Sequence, residues 1–292
     1  MEHGYGVGTA GFGVVSIGVF VVLAVIAAVA IGTARHPEWR QALARVSDVI
    51  PIRRILEWTT ARLGPPTFSL RTRLQLQGIA GVALIVGLVA VTAMAVGFTD
   101  LLDDVLEGDG LAVVDRPSAG WLAQHRDVWL TRVLIPVTHW GGPAGQAVWL
   151  VLVCALAATL GRSWLPVLIG AIGGGGITAV ALIAKHLVGR PRPPSPFALI
   201  PASGFSFPSG HATGAAAIGL LAAWILCRWV VRRWAAQVLV WAATSAAIAL
   251  IGFSRLYLGV HFVTDVFAGW LLGAAWAVVV VLAGWWWSAV RR

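Results

Sequence analysis

The chain is organised by long apolar runs broken by short polar stretches, with no two-residue alternation sustained enough to suggest a half-buried sheet. Seven runs come close to the roughly 20 residues that cross a bilayer as a helix: 10–32, 77–98, 142–160, 164–184, 211–227, 235–253 and 265–287. In lipid the backbone polar groups of such runs must be satisfied within the segment, so each predicts an α-helix. The expected fold is all-α, a polytopic membrane helical bundle.

Composition agrees with this reading. Charged residues make up 11% of the 292 positions and hydrophobic residues 59%, a balance too apolar for a soluble domain of this length. The two cysteines, Cys154 and Cys227, fall inside apolar runs without metal-ligand spacing, so they read as small buried side chains and no disulfide framework is expected. A formal charge of +9 could suggest nucleic acid, but the cations are scattered between hydrophobic segments without interleaved aromatics, so no nucleic-acid partner is expected.

The cations report topology instead. With the N-terminus outside, segments 33–76, 161–163, 228–234 and 288–292 carry 14 of the 21 Lys and Arg residues, which makes that side and the C-terminus cytoplasmic. Four of the remaining seven, Lys185, Arg190, Arg192 and Arg255, lie directly against spans on the outer side, where the acidic "TDLLDDVLEGDG" loop also falls. The first run has no cation before it and no small-residue cleavage site after it, and is expected to be a retained span. The mixture of apolar residues and arginines at 42–64 suits either a helix on an anionic inner leaflet or a cytoplasmic linker. These features divide the chain into residues 1–76, an N-terminal span with its basic segment, and 77–292, a six-helix domain. The "GGGG" at 173–176 falls inside a span and is expected to allow close helix packing, and the many tryptophans sit mostly where interfacial anchors belong.

Three stretches on the expected outer side carry polar residues that a membrane protein rarely places at span ends. "AKHLVGRPRP" sets Lys185, Arg190 and Arg192 within eight residues, with prolines that forbid helix and stiffen the backbone. Alone, it reads equally as a snorkelling anchor. "FPSGHATG" places Ser209 as the cap of a helix and Gly210 where a ligand could approach the backbone, so the free N–H groups of the first turn form an anion site faced by His211. Alone, it reads as an ordinary cap followed by an incidental histidine. "FSRLYLGVHFVTD" places Arg255 just before His261 and Asp265, whose four-residue spacing puts them on one face of a helix. The carboxylate would then fix the imidazole tautomer and leave the other nitrogen free to attack. A carboxylate at the head of a membrane helix is itself a functional signal. Together, three fixed cations exceed what a carboxylate ligand needs but suit the oxygens of a phosphate, and two imidazoles can divide nucleophile and acid roles.

Lys185 with "HLVGRP" and Arg192-Pro193, then "PSGH" at 208–211, then "SRLYLGVHFVTD" at 254–265 resemble the three-part signature of the type 2 phosphatidic acid phosphatase superfamily. This superfamily includes membrane lipid phosphatases, bacterial polyprenyl-diphosphate phosphatases such as those acting on undecaprenyl diphosphate, glucose-6-phosphatase and soluble vanadium haloperoxidases. The resemblance covers about residues 77–287, a six-helix core, and leaves the extra N-terminal transmembrane helix unexplained. It implies that Lys185, Arg192, Arg255, Ser209 and the backbone of Gly210 hold a phosphoryl group. It further implies that His261 attacks phosphorus with Asp265 orienting it, and that His211 protonates the leaving oxygen. It implies no metal or cofactor, a membrane lipid phosphate as substrate and the bilayer as environment. A haloperoxidase is disfavoured by seven spans, and a serine protease using Ser203 or Ser209 by the three cations. A non-catalytic lipid-binding or transport protein is disfavoured by the aligned pair of His261 and Asp265.

Overall fold

A computed structural model of the protein describes residues 68–194 and 197–290. The expected first span at 10–32 and the basic segment up to residue 67 lie outside the described residues. The chain divides into two compact units, Met1–Val86 and Gly87–Arg292. Of the first, the opening of one helix is described.

Among the described residues every regular element is a helix. The long helix α1 (Phe68–Glu107) leads through a 3₁₀ turn at Gly110–Val114 into two shorter helices, α2 (Asp115–Gln124) and α3 (Val128–Trp140). Then come α4 (Pro143–Gly161), α5 (Leu165–Val188), α6 (Gly210–Ile225), α7 (Trp234–Tyr257) and α8 (Val263–Val290). A widened π turn at Leu226–Val230 extends α6. Among the described residues six segments are long and apolar enough to cross a membrane, and five of them start and stop within four residues of the corresponding apolar run. The other runs from Leu84 to Glu107, so "TDLLDDVLE" is helix and not the expected loop. The physical reason is that Leu101, Leu102 and Val105 share the i, i+1, i+4 face and pack with Phe98, Phe207 and Leu271, while the carboxylates occupy the rest of the turn.

Helix ends follow local chemistry. Gly142 precedes Pro143 at the start of α4, where proline's missing N–H has no partner to lose. Gly189 closes α5 in the left-handed region at φ 64°, donating its N–H to the carbonyl of Lys185. Asp127 caps α3, accepting from the N–H groups of Trp129 and Leu130 at 2.7 and 3.0 Å.

The bundle is built around α6, over half of whose span is buried, against 6% for α7. Its alanines and glycines let neighbours approach backbone to backbone. A Cβ added at Gly269 of α8 would lie 2.9 Å from the carbonyl oxygen of Ser209, and one at Gly273 would meet the backbone of Thr213 and Ala217. The glycines at 173–176 serve packing on one side of α5. A side chain at Gly173 would run into Leu221 and one at Gly176 into Trp276, whose indole donates to the carbonyl of Gly173 at 2.9 Å. One apolar core joins α4, α5, α6 and α8 through Leu150, Ile177, Leu221, Ala277 and Val280.

Candidate functional site

The C-terminal ends of α5 and α7 and the N-terminal ends of α6 and α8 meet at one end of this bundle. Lys185, Arg192, Gly210, His211, Arg255 and His261 line a single cavity there. Residues up to 76 positions apart in the chain are thereby brought around one space, with Ser209 and Asp265 buried directly behind its wall.

His261 lies in the turn ahead of α8, not on the helix, as the i, i+4 spacing had predicted. The pairing forms all the same. Asp265, in the first turn of α8, directs Oδ2 at His261 Nδ1 at 3.3 Å and accepts from the N–H of Phe262 at 2.9 Å, so the turn closes on its own carboxylate. Ser206 Oγ donates to the same oxygen at 2.7 Å, and Arg190 Nη1 donates to Oδ1 at 2.6 Å. With four donors around it and no exposed surface, Asp265 is held as a charged acceptor. Burial pushes the His261 imidazole down to about 4, Asp265 works against that, and Arg192 and Arg255 add to it. The ring is therefore neutral at neutral pH, with its proton on Nδ1 facing Asp265 and its lone pair on Nε2. Arg192 Nη1 donates into that lone pair at 3.0 Å.

Arg192 is fixed by backbone carbonyls, donating to Gly204 at 3.0 Å, Ser203 at 2.9 Å and Val260 at 2.8 Å. Lys185 Nζ donates to the carbonyl of Phe205 at 2.7 Å. Arg255 is 4% exposed and donates through Nη1 to Thr138 Oγ1 of α3 at 2.6 Å, while its Nε has no partner. Ser209 is the N-cap residue of α6 by position, but its hydroxyl does not cap the helix, correcting the expectation from sequence. Its Oγ is fully buried and unpaired. Buried donors without partners are uncommon in native proteins, and two of the three such atoms among the described residues belong to this wall. A Cβ on Gly210 would come within 3.6 Å of Lys185 Cε, which keeps the helix entrance open beside the ammonium. His211 stands across the cavity from His261, its Nε2 close to Gly142 at the head of α4 and its carbonyl accepting from Gln146 at 3.1 Å.

Sequence reasoning missed Asp115, Ser206 and Thr138, and left Arg190 without a role. Ser206 and Arg190 bond Asp265 directly, Asp115 bonds Arg190 at 2.7 Å, and Thr138 holds Arg255. The only signal for Asp115 in the sequence is an acid among apolar residues in a stretch that reads as an outer loop.

The cavity holds about 1140 Å³ and continues from the charged end down between α4 and α5. Its wall runs from Gly142 to Ala155 on α4 and from Lys185 to Val167 on α5. At 1.5 Å per residue these stretches are about 20 and 27 Å long, comparable with the ~30 Å hydrocarbon thickness of a bilayer. Val151 and Leu182, both exposed on the outer surface of the bundle, form part of the wall, so the groove opens sideways. Gly174 and Gly175 line it too, and a side chain added at Gly175 would meet nothing within 4 Å.

Comparison with known proteins bears on the same segment. Residues 147–289 match the PAP2 superfamily. The chain is 33% identical over 149 residues to phosphatidylglycerophosphatase B of Bacillus subtilis, covering 51% of this chain and 72% of that protein. It is 30% identical over 181 residues to decaprenylphosphoryl-5-phosphoribose phosphatase of Mycobacterium tuberculosis, covering 59% and 85%. The crystal structure of a transmembrane PAP2 type phosphatidylglycerolphosphate phosphatase from Bacillus subtilis superposes with a TM-score of 0.63 at 27% identity, over 69% of this chain and 98% of that one. With its membrane-spanning helices, its three polar stretches and these relatives, the chain belongs to the PAP2 superfamily as a multi-pass membrane member.

Proposed function

We propose that this protein is a membrane lipid phosphatase that removes the terminal phosphate of a lipid phosphate through a phosphohistidine at His261. The observation that carries the reading is the continuity of one cavity from a cation-lined, donor-rich end to an apolar groove open to the side of the bundle. Lys185, Arg192, Arg255, the Ser209 hydroxyl and the Gly210 N–H hold the phosphoryl oxygens, giving the orphaned donors their acceptors. A phosphate oxygen displaces His261 Nε2 as acceptor for Arg192, which frees the lone pair. Nε2 then forms the bond to phosphorus as the bond from phosphorus to the lipid oxygen breaks, and His211, entering as the imidazolium, gives a proton to that oxygen and becomes neutral. Neutral His211 next takes a proton from water as the water attacks the phosphohistidine, releasing inorganic phosphate and restoring the His211 imidazolium and the neutral His261 imidazole. Asp265 orients His261 and stabilises the positive charge that develops on it.

The groove between α4 and α5 takes the hydrocarbon chain, so the lipid enters from the bilayer with its headgroup at the interface. The names of the Bacillus and Mycobacterium relatives support a phosphatidate-type lipid phosphate, phosphatidylglycerophosphate included, or a polyprenyl phosphate or diphosphate. The excess of Lys and Arg on the opposite side supports a cell-membrane location with the site on the extracytoplasmic face and the C-terminus in the cytoplasm.

Phosphate release by the purified protein from a panel of these lipids, with chelator present, tests the reading. Activity on at least one lipid is expected, and His261→Ala should abolish release while lipid binding survives. Gly175→Leu, which fills the groove, should raise KM for the long-chain substrate about tenfold and leave a short water-soluble phosphate ester unaffected. Equal turnover by His261→Ala would refute the reading.

A further inference from the structure

The carboxylate of Asp115 is 1% exposed and lies in the first turn of α2, outside the three stretches that form the phosphate site. A buried carboxylate is costly unless it is fully paired, and this one is. Its Oδ1 accepts from the N–H of Thr264 at 3.0 Å, and its Oδ2 accepts from Thr264 Oγ1 at 2.5 Å and from Arg190 Nη2 at 2.7 Å. The first contact caps α8 from another helix, since Thr264 is in the first turn and its N–H has no partner within α8. The third holds a guanidinium whose other nitrogen, Nη1, donates to Thr264 Oγ1 at 2.8 Å and to Asp265 Oδ1 at 2.6 Å. Arg190 also lies over the Phe262 ring, 4.5 Å from its centroid.

Arg190 is thus divided between two buried carboxylates, and this division has an electrostatic consequence. With Asp265 as its sole counter-ion, the guanidinium would neutralise the charge that orients His261. Shared with Asp115, the three groups sum to one negative charge, and Asp265 keeps its hold on His261 Nδ1. Building on the phosphatase reading above, we propose that Asp115 is a positioning residue for the reaction. It fixes Arg190 and the first turn of α8 so that Asp265 holds His261 in line with phosphorus. It acts through Arg190 and Thr264 and touches no part of the substrate.

Such a residue should affect turnover and leave binding almost untouched, because the oxygen-holding cations Lys185, Arg192 and Arg255 make no contact with it. Asp115→Asn keeps the size and an acceptor for Thr264 but removes the charge. It should lower kcat about 30-fold while KM stays within about threefold. In an Arg190→Gln background the same substitution should change kcat less than about threefold, since its route to Asp265 is already broken. Wild-type kcat in Asp115→Asn, or full multiplication of the two effects in the double variant, would overturn the proposal. If Asp115→Asn does not fold, Thr264→Val loosens the same carboxylate without removing charge. It should lower kcat severalfold at constant KM, and unchanged kcat there contradicts the proposal equally. Failure of the wild-type protein to release phosphate from any lipid would instead count against the phosphatase reading itself.

Discussion

Two parts of the wall at the charged end of the cavity differ in how completely their polar atoms are bonded. Behind His261, Asp265 is saturated by Ser206, Arg190, the Phe262 N–H and the imidazole. Beside it, the Ser209 hydroxyl and Arg255 Nε are buried without partners, although the Ser209 N–H donates to the carbonyl of Asp265 at 2.9 Å. A saturated wall is pre-organised, so the orientation of His261 is set before a ligand arrives. An unsatisfied wall stores a cost that an incoming acceptor relieves, which favours anion binding. On the proposed function, the first part governs turnover and the second governs anion binding.

Substitutions on each wall can break or sharpen this contrast. The largest effect is expected at Arg255. Arg255→Gln removes a charge from the unsatisfied wall and should lower kcat/KM about 100-fold, as loss of a buried charge-assisted hydrogen bond implies. Measured inhibition by inorganic phosphate or vanadate should weaken in parallel. The two serines come next. Ser209→Ala removes a hydroxyl with no partner, so it should lower kcat/KM about tenfold without lowering thermal stability. Ser206→Ala instead leaves Asp265 short of a donor and should destabilise by about 1–3 kcal/mol as well as slow turnover. Equal stability losses in the two variants would erase the distinction between the walls.

The smallest effect concerns pH. His261 is held at about 4 in the folded protein, against about 6.5 when unfolded. Between these values the unfolded chain binds more protons, so stability is fully present above about pH 6.5 and is lost as pH falls toward 4. At pH 5 the loss from this group is about 2 kcal/mol. His261→Gln should therefore show a shallower fall in apparent Tm between pH 7 and pH 5 than the wild type, and identical slopes would contradict the neutral, buried imidazole.

The helices were legible in the sequence because lipid-facing segments must be both long and apolar, and five of the spans begin and end close to the runs that predict them. Six of the eight residues proposed for phosphate chemistry, the cations, imidazoles and carboxylate, stood out because three such clusters at span ends on one side have few structural explanations together, and Ser209 and Gly210 stood out from their place at a helix entrance. The supporting residues were not. Asp115 meets Thr264 across 149 positions, and Thr138 meets Arg255 across 117. Nothing local marks either residue as buried. Pairing of His261 with Asp265 was expected from helical spacing but forms because the turn before α8 folds onto its own carboxylate. Ser209 was expected to cap α6, and the position is right, but its hydroxyl is turned away from the helix N–H groups. The groove was not legible at all, since it depends on small residues of α4 and α5 standing opposite one another.

The proposed reaction depends above all on His261 as the nucleophile. Rapid quenching of the enzyme during turnover of a lipid carrying a radiolabelled terminal phosphate tests this directly. A transient, acid-labile phosphoenzyme is expected that forms no slower than phosphate is released, maps to His261 and is lost in His261→Ala. Steady turnover with no labelled protein at any time, or label that persists in His261→Ala, would contradict it.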